Sequence, residues 1–335
     1  MGSARTKKGS TERERLERRE RTTTRRSPRS ALFPVRRVGP FLKGKLEELD
    51  RELAETVPRV VGGTDPEAIH DMRVAIRRLR TILKIARPVY GRFLADAVRG
   101  AFTEVHRATG TLRDEEVLDE TLASLSVKSP EFETWKRGRS IRERRLRRVV
   151  IRALRSGDVD GARKLLEALL ALPVKPTRDK ELLKFARTTV DAARLHVEEG
   201  LVASPDDAEA LHDLRIRFKH LRYVAEIFGD ALPPDLAELA KSAAVFQKRL
   251  GEIHDIDVAV DTLERSRALH PDGRTLLLRG LAALRRAAIL KYLRARADSG
   301  DTSAIGKKRA PASRRTPGLR GAAAGKGGGR SRRTS

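Results

Sequence analysis

The chain has 335 residues, with 72 Lys and Arg against 46 Asp and Glu, a formal net charge of +26 and no cysteine. That length suits one large or two ordinary domains, and an apolar content of 39% supports a core, so a wholly disordered polycation is excluded. The lack of cysteine removes disulfides, thiolate metal sites and a cysteine nucleophile, and no apolar run approaches the length of a bilayer span.

Residues 1–37 hold thirteen Lys/Arg and four Glu among Gly, Ser and Thr, and read as a disordered basic arm. Met1-Gly2-Ser3 matches only a loose myristoylation pattern, and Arg36-Arg37 is followed by no apolar export segment, so a cytoplasmic location is expected. Period-3.6 apolar spacing then predicts helices over about 41–58, 66–88, 91–110, 114–125, 130–156 and 158–171. It predicts further helices over 178–201, 205–229, 234–250, 255–268 and 273–297. Asp65-Pro66-Glu67 and Pro205-Asp206-Asp207 are expected in first helical turns. Strand and hairpin signals are nearly absent, so the expected class is all-α. Residues 299–335, rich in Gly, Arg and Lys, read as a second disordered basic tail. Each end carries a surplus of nine charges, leaving eight for the middle, so the arrangement of charge there matters more than its total.

The middle repeats itself. Ile69-His-Asp-Met-Arg-Val-Ala-Ile-Arg-Arg-Leu-Arg80 matches Leu211-His-Asp-Leu-Arg-Ile-Arg-Phe-Lys-His-Leu-Arg222 at an offset of 142. Gly110-Thr-Leu-Arg-Asp-Glu-Glu-Val117 matches Gly251-Glu-Ile-His-Asp-Ile-Asp-Val258 at an offset of 141. Two blocks in one order at nearly one separation indicate homologous helical halves, about 38–172 and 173–298.

In the first block Ile69, Met72, Ile76, Leu79 and Leu83 form an apolar stripe. One position along, His70, Arg73, Arg77, Arg80, Lys84 and Arg87 form a basic row roughly 26 Å long. The second block repeats this with Leu211, Leu214, Phe218 and Leu221 beside His212, Arg215, Lys219 and Arg222, with His220 near them. Like charges at i,i+4 repel, so such a row favours an anionic ligand. The alternatives are neutralisation by acids such as Asp114, Glu116, Asp255 and Asp257, or basic stems that merely cover apolar surface. Two rows meeting in one groove would concentrate the potential inside it.

These blocks, with Arg113-Asp114 and His254-Asp255-Ile256-Asp257, resemble the conserved histidine α-helical domain, the CHAD family. The resemblance spans about 40–298 and implies two four-helix-bundle-like halves related by pseudo-twofold symmetry. It also implies a basic groove that binds inorganic polyphosphate. Glu115-Glu116 departs from the family pattern, where an Asp would stand two positions after Asp114. Relatives are often fused to a triphosphatase module, whose ExExK motif the segment Glu12-Arg-Glu14-Arg-Leu16 lacks.

Recognition of polyphosphate would be electrostatic, through Arg forks and Lys points, because the polymer has no bases to read. Direct phosphate contact is expected from Arg73, Arg77, Arg80, Lys84, Arg215, Lys219 and Arg222, with His70, His212, Arg87 and His220 in support. Nonspecific nucleic-acid binding through the basic arms is the rival reading, although aromatics are too few for base stacking. Glu252, His254, Asp255 and Asp257 could in principle hold a divalent ion, but Asp255 as a helix N-cap with Asp257 in the first turn is the preferred account. No catalytic constellation, phosphate loop or cofactor motif is present, so the expectation is a cytoplasmic binder, at polyphosphate granules or the nucleoid, with no metal, cofactor or membrane partner.

Overall fold

Apolar spacing at three and four residues buries one face of each helix, and the chain folds as that pattern requires. The computed structural model describes residues 36–299, apart from 66, 126 and 128 and the side chains of 177, 235 and 237. The basic arm and tail therefore lie outside the described residues, except at their inner edges, and so does Pro66.

The helices are α1 (Val38–Gly62), α2 (Ala68–Ile85), the single turn α3 (Arg87–Tyr90), α4 (Arg92–Ala108) and α5 (Gly110–Ala123). They continue as α6 (Pro130–Arg155), α7 (Asp158–Leu170), α8 (Leu182–Gly200), α9 (Ala208–Phe228), α10 (Pro234–Arg265) and α11 (Pro271–Asp298). Among the described residues there is no strand, only an isolated antiparallel bridge between Arg37 and Glu181. None of the helices is long and apolar enough to cross a membrane.

Local chemistry sets the boundaries. Ser129 accepts a hydrogen bond from the Phe132 amide at 3.1 Å, Pro130 occupies the first turn of α6, and Glu131 and Glu133 face its electropositive end. Asp207 caps α9 by accepting from the Ala210 amide at 2.9 Å. The acid-Pro starts are thereby corrected. Pro205 precedes α9 and does not enter its first turn, and α2 begins at Ala68, after Asp65 has accepted from the Glu67 amide. Gly91, at φ 92°, adopts the left-handed backbone that separates α3 from α4.

The expected helices at 234–250 and 255–268 are one helix of 32 residues. Phe246, Leu250, Ile253, Ile256, Ala259 and Leu263 are all buried at unbroken helical spacing, and that packing outweighs the roughly 1 kcal/mol cost of a mid-helix glycine at Gly251. Asp255 and Asp257 thus stand inside a helix, and the N-cap reading of Asp255 is overturned.

The halves correspond element by element: α1 with α8, α2 with α9, α4 and α5 with α10, and α6 with α11. In each half the motif helix packs between its predecessor and the helix after it, and the halves meet through α5 against α10 and α2 against α9. One hydrophobic core runs through both. The offset is already 141 across α4, where Val98, Phe102 and Val105 align with Leu239, Ala243 and Phe246, so it changes between α2 and α4; Thr109, where α4 gives way to α5, matches Leu250 inside unbroken α10. Arg36 and Arg37 also belong to the folded unit. The Arg36 carbonyl accepts from the Leu182 amide at 2.9 Å, and Arg37 Nη1 donates to the Asp179 carbonyl at 2.9 Å.

Candidate functional site

The apolar stripe of α2 is fully buried at Ile69, Met72, Ile76, Leu79 and Leu83, and that of α9 at Leu211, Leu214, Phe218 and Leu221. Because α2 packs against α9, the basic positions flanking these stripes face one another between the halves. Arg77 Nε donates to the Tyr223 hydroxyl at 3.2 Å across that boundary. Arg73, Arg77, Arg80, Arg215 and Lys219 form the centre of the site.

The electrostatics of this centre are one-sided. Among the described residues no carboxylate lies within 4.0 Å of the cationic nitrogens of Arg73, Arg77, Arg80, Lys84, Arg215 or Lys219. Burial, followed by the charges of Arg215, Arg77, Arg80 and Arg73, lowers the Lys219 ammonium to about 8. Burial also pushes Arg80 and Arg215 down, with Arg99, Arg77 and Arg107 adding repulsion at Arg80. Among the described residues, the Nε atoms of Arg73, Arg80 and Arg215 and Nε2 of His106 are buried without a hydrogen-bond partner. Such groups are costly unless an anion completes them.

Arg73 has a partly structural role. It is 8% exposed, and its Nη1 donates to the His106 carbonyl and to Thr109 Oγ1, both at 2.7 Å. The break at Thr109 makes that carbonyl available. Burial pushes Arg73 down to about 10, so it still carries its charge at neutral pH. Arg215, its counterpart beside unbroken α10, lies near Gly251 and makes no such bond.

Two expected contacts are already occupied. Asp96 accepts from Arg87 Nη2 at 2.6 Å and Nε at 2.9 Å, and Glu226 accepts from Arg222 Nε at 2.6 Å. These pairings have one cause: each guanidinium lies at the end of its row, within reach of an acid on α4 or one turn along α9. Lys84 is exposed at the end of the α2 row. His220 is half-buried near the Lys84 end of the α2 row, held down to about 4 by burial and by the charges of Lys84 and His196.

The histidines form a border. His212 and His254 approach Nδ1 to Nδ1 at 3.0 Å, so one proton is shared between two rings. Burial first, then neighbouring cations, lowers His70 and His212 and brings His254 to about 4. His106 falls to about 3 through burial and the charges of Arg73, Arg80, Arg77 and Lys219. His106 and the Tyr223 hydroxyl are the members that sequence reasoning missed. Tyr223 sits one turn after Lys219, a usable signal, whereas the α10 position matching His106 is Gln247, so the repeat offers no second histidine there.

The suspected neutralising acids point elsewhere or stand back. Glu116 takes Arg113 and Arg147, and Asp257 takes Arg285 at 2.6 Å. Asp114 and Asp255 are pushed up by burial, and the fields of Arg73 and Arg215 respectively offset part of that rise. Glu252 pairs with Arg249 and His254 with His212, so the four possible ligands do not converge, and among the described residues no group of three His, Asp or Glu could hold a metal. A cleft of about 970 Å3 between α1 and α7 is a poor polyanion site, because its Arg163 already donates to Asp50 through Nε and Nη2.

Comparisons with known proteins agree with this architecture. The crystal structure of the CHAD domain from the plant Ricinus communis superposes with a TM-score of 0.62 at 21% identity, covering 80% of this chain and 96% of that one. PptA from Streptomyces chartreusis superposes at 0.61 and 17% identity, covering 78% and 99%. Two uncharacterised proteins from strains of Mycobacterium tuberculosis are 31% identical over 226 residues, 61% of this chain. The chain spans about two fifths of the length of those relatives, 41%. The CHAD domain model matches residues 45–264, and with the doubled His-Asp helices and the pseudo-symmetric bundle in place, the chain belongs to the CHAD family.

Proposed function

We propose that the inter-half site binds inorganic polyphosphate and that the protein acts as a binder and not a catalyst. One observation carries this reading: five cations, Arg73, Arg77, Arg80, Arg215 and Lys219, converge from two helices with no carboxylate within 4.0 Å among the described residues. A linear chain with about one charge per phosphate relieves that repulsion at every step. Arg77, Arg80 and Arg215 offer planar forks, Lys219 a point donor, and Lys84 an exposed contact at the rim. Arg73, anchored at Thr109, deepens the potential from below. Association with polyphosphate granules in the cytoplasm follows from such binding.

The full-length Arg77→Glu/Lys219→Glu variant tests the reading. It should lose retention on long-chain polyphosphate at about 150 mM salt while keeping its helical circular dichroism. The native protein should show a log–log salt slope of roughly −3 to −4, from about 0.7 per phosphate contact and five contacts. Normal retention by the double variant refutes the site.

A further inference from the structure

A second cationic surface lies on α6, outside the site between the halves. Residues 130–155 contain ten Lys and Arg against three Glu. Four cations of α6 are matched by acids: the half-buried Lys136 by Asp119, Arg139 by Glu115 and Arg147 by Glu116 and Glu143, and the exposed Arg142 also by Glu115. The other six, all exposed, are not. Among the described residues no carboxylate lies within 4.0 Å of Arg137, Arg144, Arg145, Arg148, Arg152 or Arg155. At 100° per residue these six fall within a sector of about 100°, along roughly 27 Å of helix.

The bundle does not require this row. By burial pattern α6 matches α11 at an offset of 142, with Trp135 over Leu277 and Val150 over Tyr292. Arg137, Arg144 and Arg152 then match Arg279, Arg286 and Arg294, but Arg145, Arg148 and Arg155 match Ala287, Leu290 and Ala297, all equally exposed. The same architectural position therefore tolerates uncharged residues, and the extra arginines of α6 stack like charges at i,i+3 and i,i+4 at a cost to the helix.

We propose that the exposed face of α6 binds double-stranded DNA through its phosphate backbone, independently of sequence. The row is about 27 Å long, and an α-helix about 10–12 Å wide matches a B-DNA major groove about 12 Å wide. Six guanidinium forks suit phosphodiester oxygens on the two groove walls. The face presents no aromatic ring for base stacking, since Trp135 and Phe132 are buried. Its exposed apolar residues are Ile141 and Val149, too little to insert into a lipid surface. A thin polyphosphate chain is better served by the converging cations of α2 and α9 between the halves.

The test compares the full-length protein with its Arg144→Gln/Arg148→Gln/Arg152→Gln variant in salt-titrated binding to a short DNA duplex, long-chain polyphosphate and phosphatidylserine vesicles. Duplex affinity should drop at least about tenfold, and the log–log salt slope should shrink by about 2.7, from three lost contacts at about 0.9 each. Polyphosphate affinity should hold, and lysine at the same three positions should restore most duplex binding. Arg145→Ala/Arg148→Ala/Arg155→Ala, which brings the face close to that of α11, should act in the same direction and keeps the test open if the first variant misfolds. An unchanged duplex slope overturns the proposal, because the binding then resides elsewhere in the chain. A loss confined to polyphosphate or vesicles, or shared equally by duplex and polyphosphate, overturns it too.

Discussion

Arg77 Nε and the Tyr223 hydroxyl, 3.2 Å apart, join the two internal repeats at their cationic rows. Arg77 is the counterpart of Lys219 under the repeat offset, and Tyr223 follows Lys219 by one helical turn. The contact is thus made by the side chain next to the symmetry mate, which brings both cations to one locus and holds the Arg77 fork in a fixed direction. A guanidinium so positioned loses little freedom on meeting a phosphate.

Tyr223→Phe should weaken polyphosphate binding several-fold and lower stability by no more than about 1 kcal/mol, the usual net worth of one hydrogen bond. Isothermal titration and thermal unfolding of the same variant separate the two effects. Unchanged affinity would mean that Arg77 needs no such support.

Polyphosphate affinity should fall as pH rises. The free protein loses the Lys219 proton near 8, and an adjacent phosphate chain retains it, so binding takes up a proton above that pH. The dissociation constant should rise by up to about tenfold per pH unit above 8. Lys219→Arg, which stays charged, should flatten this limb. A dissociation constant that stays flat from about pH 7 to about pH 10 would contradict the low Lys219 value.

Acid should destabilise the fold. His254 and His220 titrate near 4 and His106 near 3 in the folded chain, lowered mainly by burial, against 6.5 as the ordinary value. The unfolded chain therefore binds more protons below about 6.5, and stability present above that pH is lost progressively as pH falls toward these folded values. Urea midpoints measured from pH 7.5 down to about 4.5 should decline, less steeply in His220→Leu. Equal midpoints across that range would count against the burial of these rings.

Members of one sequence row should behave differently. Arg73→Met should cost about 1–3 kcal/mol, because the His106 carbonyl and Thr109 hydroxyl lose a buried donor. Arg87→Gln and Arg222→Gln should change polyphosphate affinity less than about threefold, since Asp96 and Glu226 already hold those forks. Thermal unfolding checks the former and binding isotherms the latter. A large affinity loss at Arg87 would show that its pair with Asp96 opens for the ligand.

The sequence by itself determined the helical class, the repeat and the two cationic rows, because each follows from short-range periodicity along a single helix. Ile69, Met72, Ile76 and Leu79 bury one side of α2, and so place Arg73, Arg77 and Arg80 beside it whatever else the chain does. Tertiary structure decided which cations remain unmatched. Asp96 and Glu226 reach Arg87 and Arg222, while Asp114 and Asp255 stand off from Arg73 and Arg215. The straight run of α10 through Gly251, and the break at Thr109 that gives Arg73 an anchor, were also decided there. The physical reason is distance. Charge pairing and burial depend on atoms brought together from remote segments, and helical spacing carries no record of how far apart two helices pack.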